Sequence, residues 1–245
     1  MNIKTVGHRA NTLRRMKYYK KHRVDYIEID LTQVENKVVL YHGEDLTSSV
    51  SRKEWILKQL LSKLQGRDRL LFKPMSFQQA LDNADRIFEN PGVWIDLKNV
   101  RNANLMCLLL KNAVEKLKNH VTNKPIIVSG NNISLMRELN QTCTTRKTNV
   151  KLAINILYTN TGINFITNLL ELTGAQIVSF NTDTFNNDLA RMIKELGLKT
   201  ALWTVNSPSY LARYRNNDLS EILDYVITDR PDLLKKSLPY MHTIK

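Results

Sequence analysis

Short runs of β-branched and aromatic residues alternate along the chain with longer segments in which apolar residues recur every three or four positions. The short runs are typical of buried strands, and the longer segments are typical of helices that cover one side of a sheet. The runs, in chain order, are IKTVGH, YIEIDLT, VVLYH, VWIDLK, PIIVSG, VKLAINIL, QIVSF, KTALWTV and DYVITD. We interpret VVLYH as a hairpin extension of the second strand, which leaves eight strands for the main sheet.

The helical segments include NLMCLLLKNAVEKLKNH, in which Leu105, Leu108 and Leu109 are predicted to pack on the sheet, and NNDLARMIKELG, which should end at Gly197. Eight strand–helix repeats in 245 residues favour an α/β fold, a parallel (β/α)8 TIM barrel formed by a single domain over residues 1–245. The alternative is an open, doubly wound sheet. Such sheets usually carry a glycine-rich phosphate-binding turn after the first strand, and this chain has none.

The net charge of +13 favours association with phosphate-bearing partners through long-range attraction. Much of this charge lies in RRMKYYKKHR, residues 14–23, which we interpret as a helix with a solvated basic face and with Met16 and Tyr19 turned inward. The alternative is that this face contacts an anionic membrane surface or a nucleic acid. No nucleic-acid recognition motif accompanies the charge, so no nucleic-acid partner is expected. The sequence does not indicate an oligomeric state.

The chain has neither an apolar run of membrane-spanning length nor the features of a secretory signal in its first residues, so a cytoplasmic location is expected. Cys107 and Cys143 are far apart and lack the spacing of a metal site. We therefore expect both thiols to be reduced, as in an intracellular protein.

Three acidic residues are predicted to point into the barrel near the carboxyl ends of its strands, where barrel enzymes carry their chemistry. In YIEIDL, the strand period of two places Glu28 and Asp30 on the inward face. In VWIDLK, Asp96 and Lys98 share that face. Like charges confined together are costly unless they are paired, protonated or bound to a cation. Three carboxylates are a donor set suited to a hard divalent ion such as Mg²⁺ or Ca²⁺.

Two histidines and an arginine end strands at the same rim. His8 and Arg9 follow the first strand, and His42 follows VVLY. Imidazole can both take and give a proton near neutral pH, and Arg9 and Lys98 together could cancel the charge of a phosphate group. The residues alone leave two interpretations open: a phosphate site with a metal ion, or a buried ion-pair network in which Arg9 and Lys98 neutralise the carboxylates.

Seven motifs together resemble those of the glycerophosphodiester phosphodiesterase family. In chain order they are GHR, NTL, IEID, VVLYHGEDL, WIDLK, ALWTVN and VITDRPDLL. Each motif alone is a weak signal, but their order and their positions on the predicted strands make a strong joint one. The resemblance runs nearly from end to end of the chain and implies the same barrel fold.

The resemblance also implies a role for each candidate residue. The implied acid/base pair is His8 and His42; the implied phosphate and substrate contacts are Arg9, Lys98 and Trp203; the implied ligands of one divalent ion, Mg²⁺, Ca²⁺ or Mn²⁺, are Glu28, Asp30 and Asp96. Family members cleave small glycerophosphodiesters to glycerol 3-phosphate and an alcohol. The implied mechanism has a glycerol hydroxyl attack the phosphorus, one histidine acting as base and the other protonating the departing alkoxide, after which water opens a cyclic phosphate.

The chain departs from the family pattern at four places. Ala10 stands where glycine is usual, Asp96 where glutamate is usual and Gly43 where aspartate is usual, and the first loop lacks a Pro-Glu segment before Asn11. These departures keep two alternatives open. One is a phosphodiesterase directed at lipids, of the lysophospholipase D or sphingomyelinase D type, with the basic segment on a membrane. The other is a barrel that binds phosphorylated ligands without turning them over.

Overall fold

Eight parallel strands pair side by side and close into a barrel, as the sequence pattern predicts. The computed structural model describes residues 3–42, 74–83, 91–118, 124–143, 149–157, 162–212 and 219–237. The strands in chain order are β1 (Lys4–Gly7), β2 (Tyr26–Val34), β3 (Lys37–Leu40), β4 (Gly92–Asn99), β5 (Ile126–Gly130), β6 (Val150–Ile156), β7 (Ile177–Asn181), β8 (Lys199–Trp203) and β9 (Tyr225–Thr228).

Strand pairing follows the order β1-β9-β8-β7-β6-β5-β4-β2, and pairing of β1 with β2 closes the ring. Strand β3 runs antiparallel to the carboxyl-terminal half of β2, with Leu31 opposite Leu40. This arrangement confirms the TIM barrel and the interpretation of VVLYH as a hairpin extension. It also excludes the open, doubly wound sheet.

Helices connect the strands and cover the outside of the barrel. In the described part of the chain they are α1 (Leu13–Lys21), α2 (Phe77–Asp82), α3 (Ala103–Leu117), α4 (Ile133–Thr142), α5 (Ile163–Thr173), α6 (Asn187–Glu195), α7 (Pro208–Ala212), α8 (Leu219–Ile222) and α9 (Pro231–Ser237). Met16 and Tyr19 are the buried residues of α1, as predicted. Gly197 follows α6 with a φ of 75°, a conformation that glycine adopts without strain.

Alternation along the strands produces two separate apolar layers. Outward-facing residues of β2, such as Ile27, Ile29 and Leu31, pack against the helices. Inward-facing residues fill the middle of the barrel: Val6, Tyr26, Trp94, Ile127, Ala153, Ile177, Ala201, Tyr225 and Ile227. Because this inner layer closes the barrel, polar residues at the two ends of the strands form two separate groups.

One predicted helix face is wrong in detail. Leu108 is 66% exposed, whereas Met106, Cys107 and Leu110 are buried. The apolar residues of α3 are so dense that leucine spacing alone did not indicate which stripe faces the barrel. Leu105 and Leu109 do pack against the core, as predicted, beside these buried positions.

The prediction of two reduced cysteines is also wrong. Cys107 on α3 and Cys143 at the end of α4 form a disulfide, with Cα atoms 5.3 Å apart. The pair is separated by 36 residues in sequence, and only the packing of α3 beside α4 brings the two residues together. Disulfides are typical of oxidising compartments, so this pairing counts against the cytoplasmic location expected from the sequence.

Among the described residues, no helix combines the length and the apolar character needed to cross a membrane.

Candidate active site

The carboxyl ends of the barrel strands surround a cavity of about 320 Å³, which we name the upper mouth. Of the eight predicted site residues, seven line it: His8, Arg9, Glu28, His42, Asp96, Lys98 and Trp203. The eighth, Asp30, is fully buried beside them. The barrel thus brings together residues that were predicted from side-chain alternation along strands and from the positions of strand ends. They lie up to 195 positions apart in the sequence, from His8 to Trp203.

The three predicted carboxylates form one buried group. Strands β2 and β4 pair in a register that sets Asp30 opposite Asp96, and Glu28 lies two positions earlier on the same face of β2. One ligand oxygen from each carboxylate lies within 4.8 Å of the others. Lys98 Nζ lies 2.5 Å from Asp96 Oδ2 and 3.5 Å from Asp30 Oδ1. If every group is ionised, three negative charges meet this one ammonium, and a surplus of two negative charges remains.

Polar neighbours fix the orientation of two of these carboxylates. Asn11 Nδ2 donates to Asp30 Oδ2 at 2.7 Å, and the Asp30 backbone N–H donates to Asn11 Oδ1 at 2.9 Å. Asp96 Oδ1 accepts from Ser129 Oγ and from Asn155 Nδ2, both at 2.9 Å. Sequence reasoning did not assign these supporting roles. The signals were the Asn-Thr-Leu motif for Asn11 and inward alternation on β5 and β6 for Ser129 and Asn155.

The electrostatics of the group match its composition. Burial raises the pKa of Glu28 well above its usual range, and the charges of Asp30 and Asp96 raise it further, against the Arg9 backbone N–H and the Lys98 charge. Burial lowers the pKa of Lys98, but the charges of Asp96 and Asp30 outweigh burial and raise it overall. The carboxylates therefore keep the Lys98 side chain protonated, and the group still has fewer positive than negative charges.

The same group fits a divalent metal ion. The donor atoms are carboxylate oxygens, which Mg²⁺, Ca²⁺ and Mn²⁺ prefer. Asp30 Oδ1 is buried and makes no hydrogen bond with any described residue, so a buried acceptor remains without a donor beyond the contact at 3.5 Å to Lys98 Nζ. A buried acceptor of this kind is costly, and a cation would satisfy it.

Arg9 links the carboxylate group to His42. Its backbone has a φ of 52°, and its N–H donates to Glu28 Oε2. The guanidinium Nη2 lies 2.7 Å from His42 Nε2, so it donates to that nitrogen rather than to the carboxylates. The ion-pair network considered from the sequence is thus present for Lys98 but not for the Arg9 side chain. Ala10 does not have a positive φ, so the glycine expected there is not required by this turn.

His8 is held by a partner that sequence reasoning left undecided. Its Nδ1 lies 3.3 Å from Asp229 Oδ1, and the ring is nearly buried at the wall of the upper mouth. With Nδ1 directed at the carboxylate, Nε2 is the nitrogen left for the cavity. Asp229 also accepts from Arg15 and, at 2.8 Å, from Asn206 Nδ2. Burial would raise the pKa of Asp229, but the hydrogen bonds and the His8 and Arg15 charges lower it to about 2.

Two polar groups at the opposite wall of the upper mouth have no protein partner in the described part of the chain. They are the indole N–H of Trp203 and the hydroxyl of Ser179, both buried. They lie on β8 and β7, on the inward face shared with Ala201 and Ile177. The position of Gly43, after His42, lies outside the described residues.

Comparisons with known proteins find one family and several solved structures similar to this chain. The family model described as the Glycerophosphoryl diester phosphodiesterase family matches residues 6–233. A glycerophosphodiester phosphodiesterase from Parabacteroides distasonis is 18% identical, with 98% of each chain covered and a TM-score of 0.68. A phosphodiesterase from Oleispira antarctica, in complex with the product sn-glycerol-3-phosphate, is 16% identical, with 96% of each chain covered and a TM-score of 0.68.

A glycerophosphodiester phosphodiesterase from Thermotoga maritima is 18% identical, with 96% of this chain and 98% of that chain covered and a TM-score of 0.64. No curated protein matches this chain. At these identities the solved structures show a shared fold, and the family match rests on the sequence itself.

Proposed function

Because this chain belongs to the glycerophosphoryl diester phosphodiesterase family, we propose that it hydrolyses glycerophosphodiesters to glycerol 3-phosphate and an alcohol, with one divalent metal ion. The observation that carries this proposal is the meeting of a buried carboxylate group, two histidines and two cations at one cavity. The similar protein from Oleispira antarctica that holds sn-glycerol-3-phosphate supports the choice of product.

Glu28, Asp30 and Asp96 are the proposed ligands of the metal ion, which is Mg²⁺, Ca²⁺ or Mn²⁺. When bound, a divalent ion neutralises phosphate charge and makes a nearby hydroxyl more acidic. Asn11, Ser129 and Asn155 hold two of these carboxylates in place through the hydrogen bonds described above. Fixed ligands of this kind reduce the reorganisation that binding requires.

Arg9 and Lys98 are the proposed phosphate contacts. Lys98 is already fixed between two carboxylates, with its side chain 26% exposed, and it reaches the cavity as a point charge. The Arg9 guanidinium can exchange its bond to His42 for two phosphate oxygens, which match its planar fork. That exchange would end the contact between Arg9 and His42 Nε2 when the substrate binds.

His8 and His42 are the proposed acid/base pair. In the first step a glycerol hydroxyl gives its proton to one histidine as its oxygen forms a bond to phosphorus, and the bond from phosphorus to the alcohol oxygen breaks as the other histidine donates a proton to that oxygen. The product of this step is a cyclic phosphate. In the second step the two histidines exchange roles: one takes a proton from water as the water oxygen bonds to phosphorus, and the other donates a proton to the ring oxygen as its bond to phosphorus breaks. Each histidine ends the cycle in its starting protonation state.

The size of the upper mouth bears on the choice between soluble and lipid substrates. A volume of about 320 Å³ lies at the lower end of the range for ligand pockets. It suits a glycerophosphate unit with a small alcohol, and Trp203 and Ser179 offer that unit an aromatic face and two unpaired polar groups. We therefore place the lipid-directed activity second.

The testing experiment measures glycerol 3-phosphate release from glycerophosphocholine and glycerophosphoethanolamine with Mg²⁺, Mn²⁺, Ca²⁺ or chelator. We expect metal-dependent release that His8→Gln lowers by about 10²- to 10⁴-fold. His22→Gln is the matched control, because His22 caps α1 and lies outside the cavity. Metal-dependent release of the head-group alcohol from lysophospholipid, with no glycerol 3-phosphate from the soluble substrates, would favour the lipid-directed enzyme. Binding of glycerol 3-phosphate without turnover under any metal would favour the non-catalytic barrel.

A further inference from the structure

A second charged group lies at the other end of the barrel, at the amino ends of the strands, which we name the lower mouth. It is formed by four lysines: Lys4, Lys124, Lys151 and Lys199. Lys4, Lys151 and Lys199 lie on the inward face of β1, β6 and β8, each two positions before a residue of the inner apolar layer. Lys124 precedes β5. All four side chains are half-buried.

Two tyrosines hold three of these ammonium groups close together. Tyr26 and Tyr225 meet edge to face, with ring centroids 5.8 Å apart. Lys4 Nζ lies 5.9 Å from the Tyr26 centroid and 5.8 Å from the Tyr225 centroid. Lys124 Nζ lies 5.9 Å from Tyr26, and Lys199 Nζ lies 5.8 Å from Tyr225. Lys4 therefore stands between the other two cations, each of which shares a ring with it.

The charges at the lower mouth do not cancel. Among the described residues, two carboxylates lie nearby, and both are engaged: Asp25 accepts from the Thr5 N–H and hydroxyl, at 2.8 and 3.0 Å, and Asp224 accepts from Lys194 Nζ at 2.8 Å. Leaving Lys124 aside, Lys4, Lys151, Lys194 and Lys199 give four ammonium groups against these two carboxylates in the described part of the chain, a surplus of two positive charges. A local surplus of positive charge attracts multivalent anions.

Tyr26 and Tyr225, which we name the tyrosine floor, do not supply the missing negative charge. Burial, together with the nearby charge of Asp25, raises the pKa of Tyr26 to about 12, so its hydroxyl is neutral at physiological pH. Burial lowers the pKa of Lys199, and the charges of Lys151, Lys4 and Lys194 lower it further, against Asp224. A bound anion would offset these positive charges and stabilise the protonated form of Lys199.

Lys4 and Lys199 also have N–H donors for a ligand. An ammonium group has three N–H donors. The contacts of Lys4 and Lys199 with the tyrosines are made to ring faces and leave N–H groups for oxygen acceptors. Phosphate oxygens are the acceptors that clustered lysines bind as point charges.

We propose that the lower mouth binds a compact multivalent phosphate anion, such as a diphosphate group, between Lys4, Lys151 and Lys199, at the end of the barrel opposite the upper mouth. The inner apolar layer separates the two places, so this site is independent of the proposed catalytic function. Either site can be present without the other.

Titration calorimetry of the whole chain with sodium pyrophosphate tests the proposal. The protein is treated with chelator, so that no divalent ion draws pyrophosphate to the upper mouth. We expect binding that Arg9→Gln leaves unchanged and that Lys4→Gln with Lys199→Gln weakens by at least about tenfold, through loss of charge-assisted hydrogen bonds. The matched control removes the same charge from two exposed positions, one on α3 and one at its C-cap, with Lys111→Gln and Lys118→Gln, and should bind as the native chain does.

Four results would overturn the site: no binding by the native chain, an equal loss in the α3 control, a loss confined to Arg9→Gln, or binding to phosphatidylglycerol vesicles with none to pyrophosphate. Lys4 and Lys199 also contact the tyrosine floor, so thermal unfolding accompanies each variant. Lys151→Gln is the second variant, because Lys151 is not one of the three cations over the tyrosine rings. If the double variant fails to fold, an unchanged affinity in Lys151→Gln would count against the proposal.

Discussion

The carboxylate group of the upper mouth and the lysines of the lower mouth have opposite charge although one barrel forms both. The inward residues of β1 are Lys4 and Val6, with His8 directly after the strand, and those of β8 are Lys199, Ala201 and Trp203. Each of these two strands therefore gives a cation to the lower mouth, an apolar residue to the inner layer and a functional side chain to the upper mouth. The parallel direction of the strands makes this division possible, because every strand presents its carboxyl end at the same rim.

The mouths differ most in how their charges are accommodated. The carboxylates of the upper mouth are at most 8% exposed and have individual hydrogen-bond partners, whereas the lysines of the lower mouth are half-buried on long, flexible stems. Burying a charge is expensive, and a half-exposed lysine costs little. The comparison teaches that a buried surplus of charge indicates a fixed ligand, and an accessible surplus indicates an exchangeable one.

Glu28→Gln should have the largest effect on the difference between the two mouths, because it removes one of the buried carboxylates that define the upper mouth. We expect glycerol 3-phosphate release to fall by about 10³-fold or more, because a proposed metal ligand is lost. The chelated protein should melt at a higher temperature than the native chain, since fewer like charges remain buried and glutamine can still accept from Arg9 N–H. Steady-state rates and thermal unfolding in chelator measure both effects.

Glu138→Gln provides the control for that change. Glu138 is exposed on α4, and its replacement alters the net charge equally. It should affect neither rate nor melting temperature. A Glu28→Gln protein that turns over substrate at the native rate would remove Glu28 from the metal site.

Asp229→Asn should have the next largest effect, through the orientation of His8. We expect the rate to fall by about 10- to 100-fold, as for other groups that orient a functional side chain. The pKa of Asp229 is about 2, below its ordinary value of 3.8, so its charged form stabilises the fold above pH 3.8 and that stabilisation is lost as the pH falls through 2. The stabilisation amounts to about 2 kcal/mol at most.

Urea unfolding at neutral pH and at about pH 2 measures the stability part of this prediction. The native chain should lose more unfolding free energy than the variant over that interval, so the difference between them should shrink on acidification. An unchanged rate combined with the expected loss of stability would mean that Asp229 supports the fold and not His8.

Gly92→Ala tests the floor of the lower mouth and should leave the upper one intact. A Cβ at Gly92 would lie 2.4 Å from Tyr26 Cε1, a fully buried ring that cannot move freely. We expect a loss of about 1–3 kcal/mol in unfolding free energy, as for other overpacked cores. The rate per folded molecule should not change. Gly162→Ala is the control, because its Cβ would meet nothing within 4 Å.

The sequence was sufficient for the fold and for most of the upper mouth because both depend on alternation. Period-two patterns put Glu28, Asp30 and Asp96 on one face, and parallel strands brought their ends together. The contact of Asn155 depends on register between strands, and the contact of Asn11 depends on how the loop after β1 lies against β2; no local pattern specifies either.

The errors have a similar cause. The disulfide between Cys107 and Cys143 depends on how α3 packs on α4, and the exposed Leu108 depends on which of several apolar stripes faces the barrel. The lower mouth was missed for a different reason. Its lysines start strands singly, far apart in sequence, so they were counted only within the net charge.

Ala10→Gly should have the smallest effect, and it asks whether the first turn of the upper mouth needs glycine at all. Ala10 is fully buried, its N–H donates to the Glu28 carbonyl at 2.8 Å, and the left-handed residue of the turn is Arg9. We expect an unchanged rate and a loss of about 0.4–1 kcal/mol, because glycine gains freedom in the unfolded chain. Gly197→Ala, at a φ of 75°, is the opposite case and should lose stability through backbone strain. If Ala10→Gly instead raised the rate several-fold, the turn would favour a conformation at position 10 that alanine resists, and the departure from the family pattern would then be limiting the chemistry.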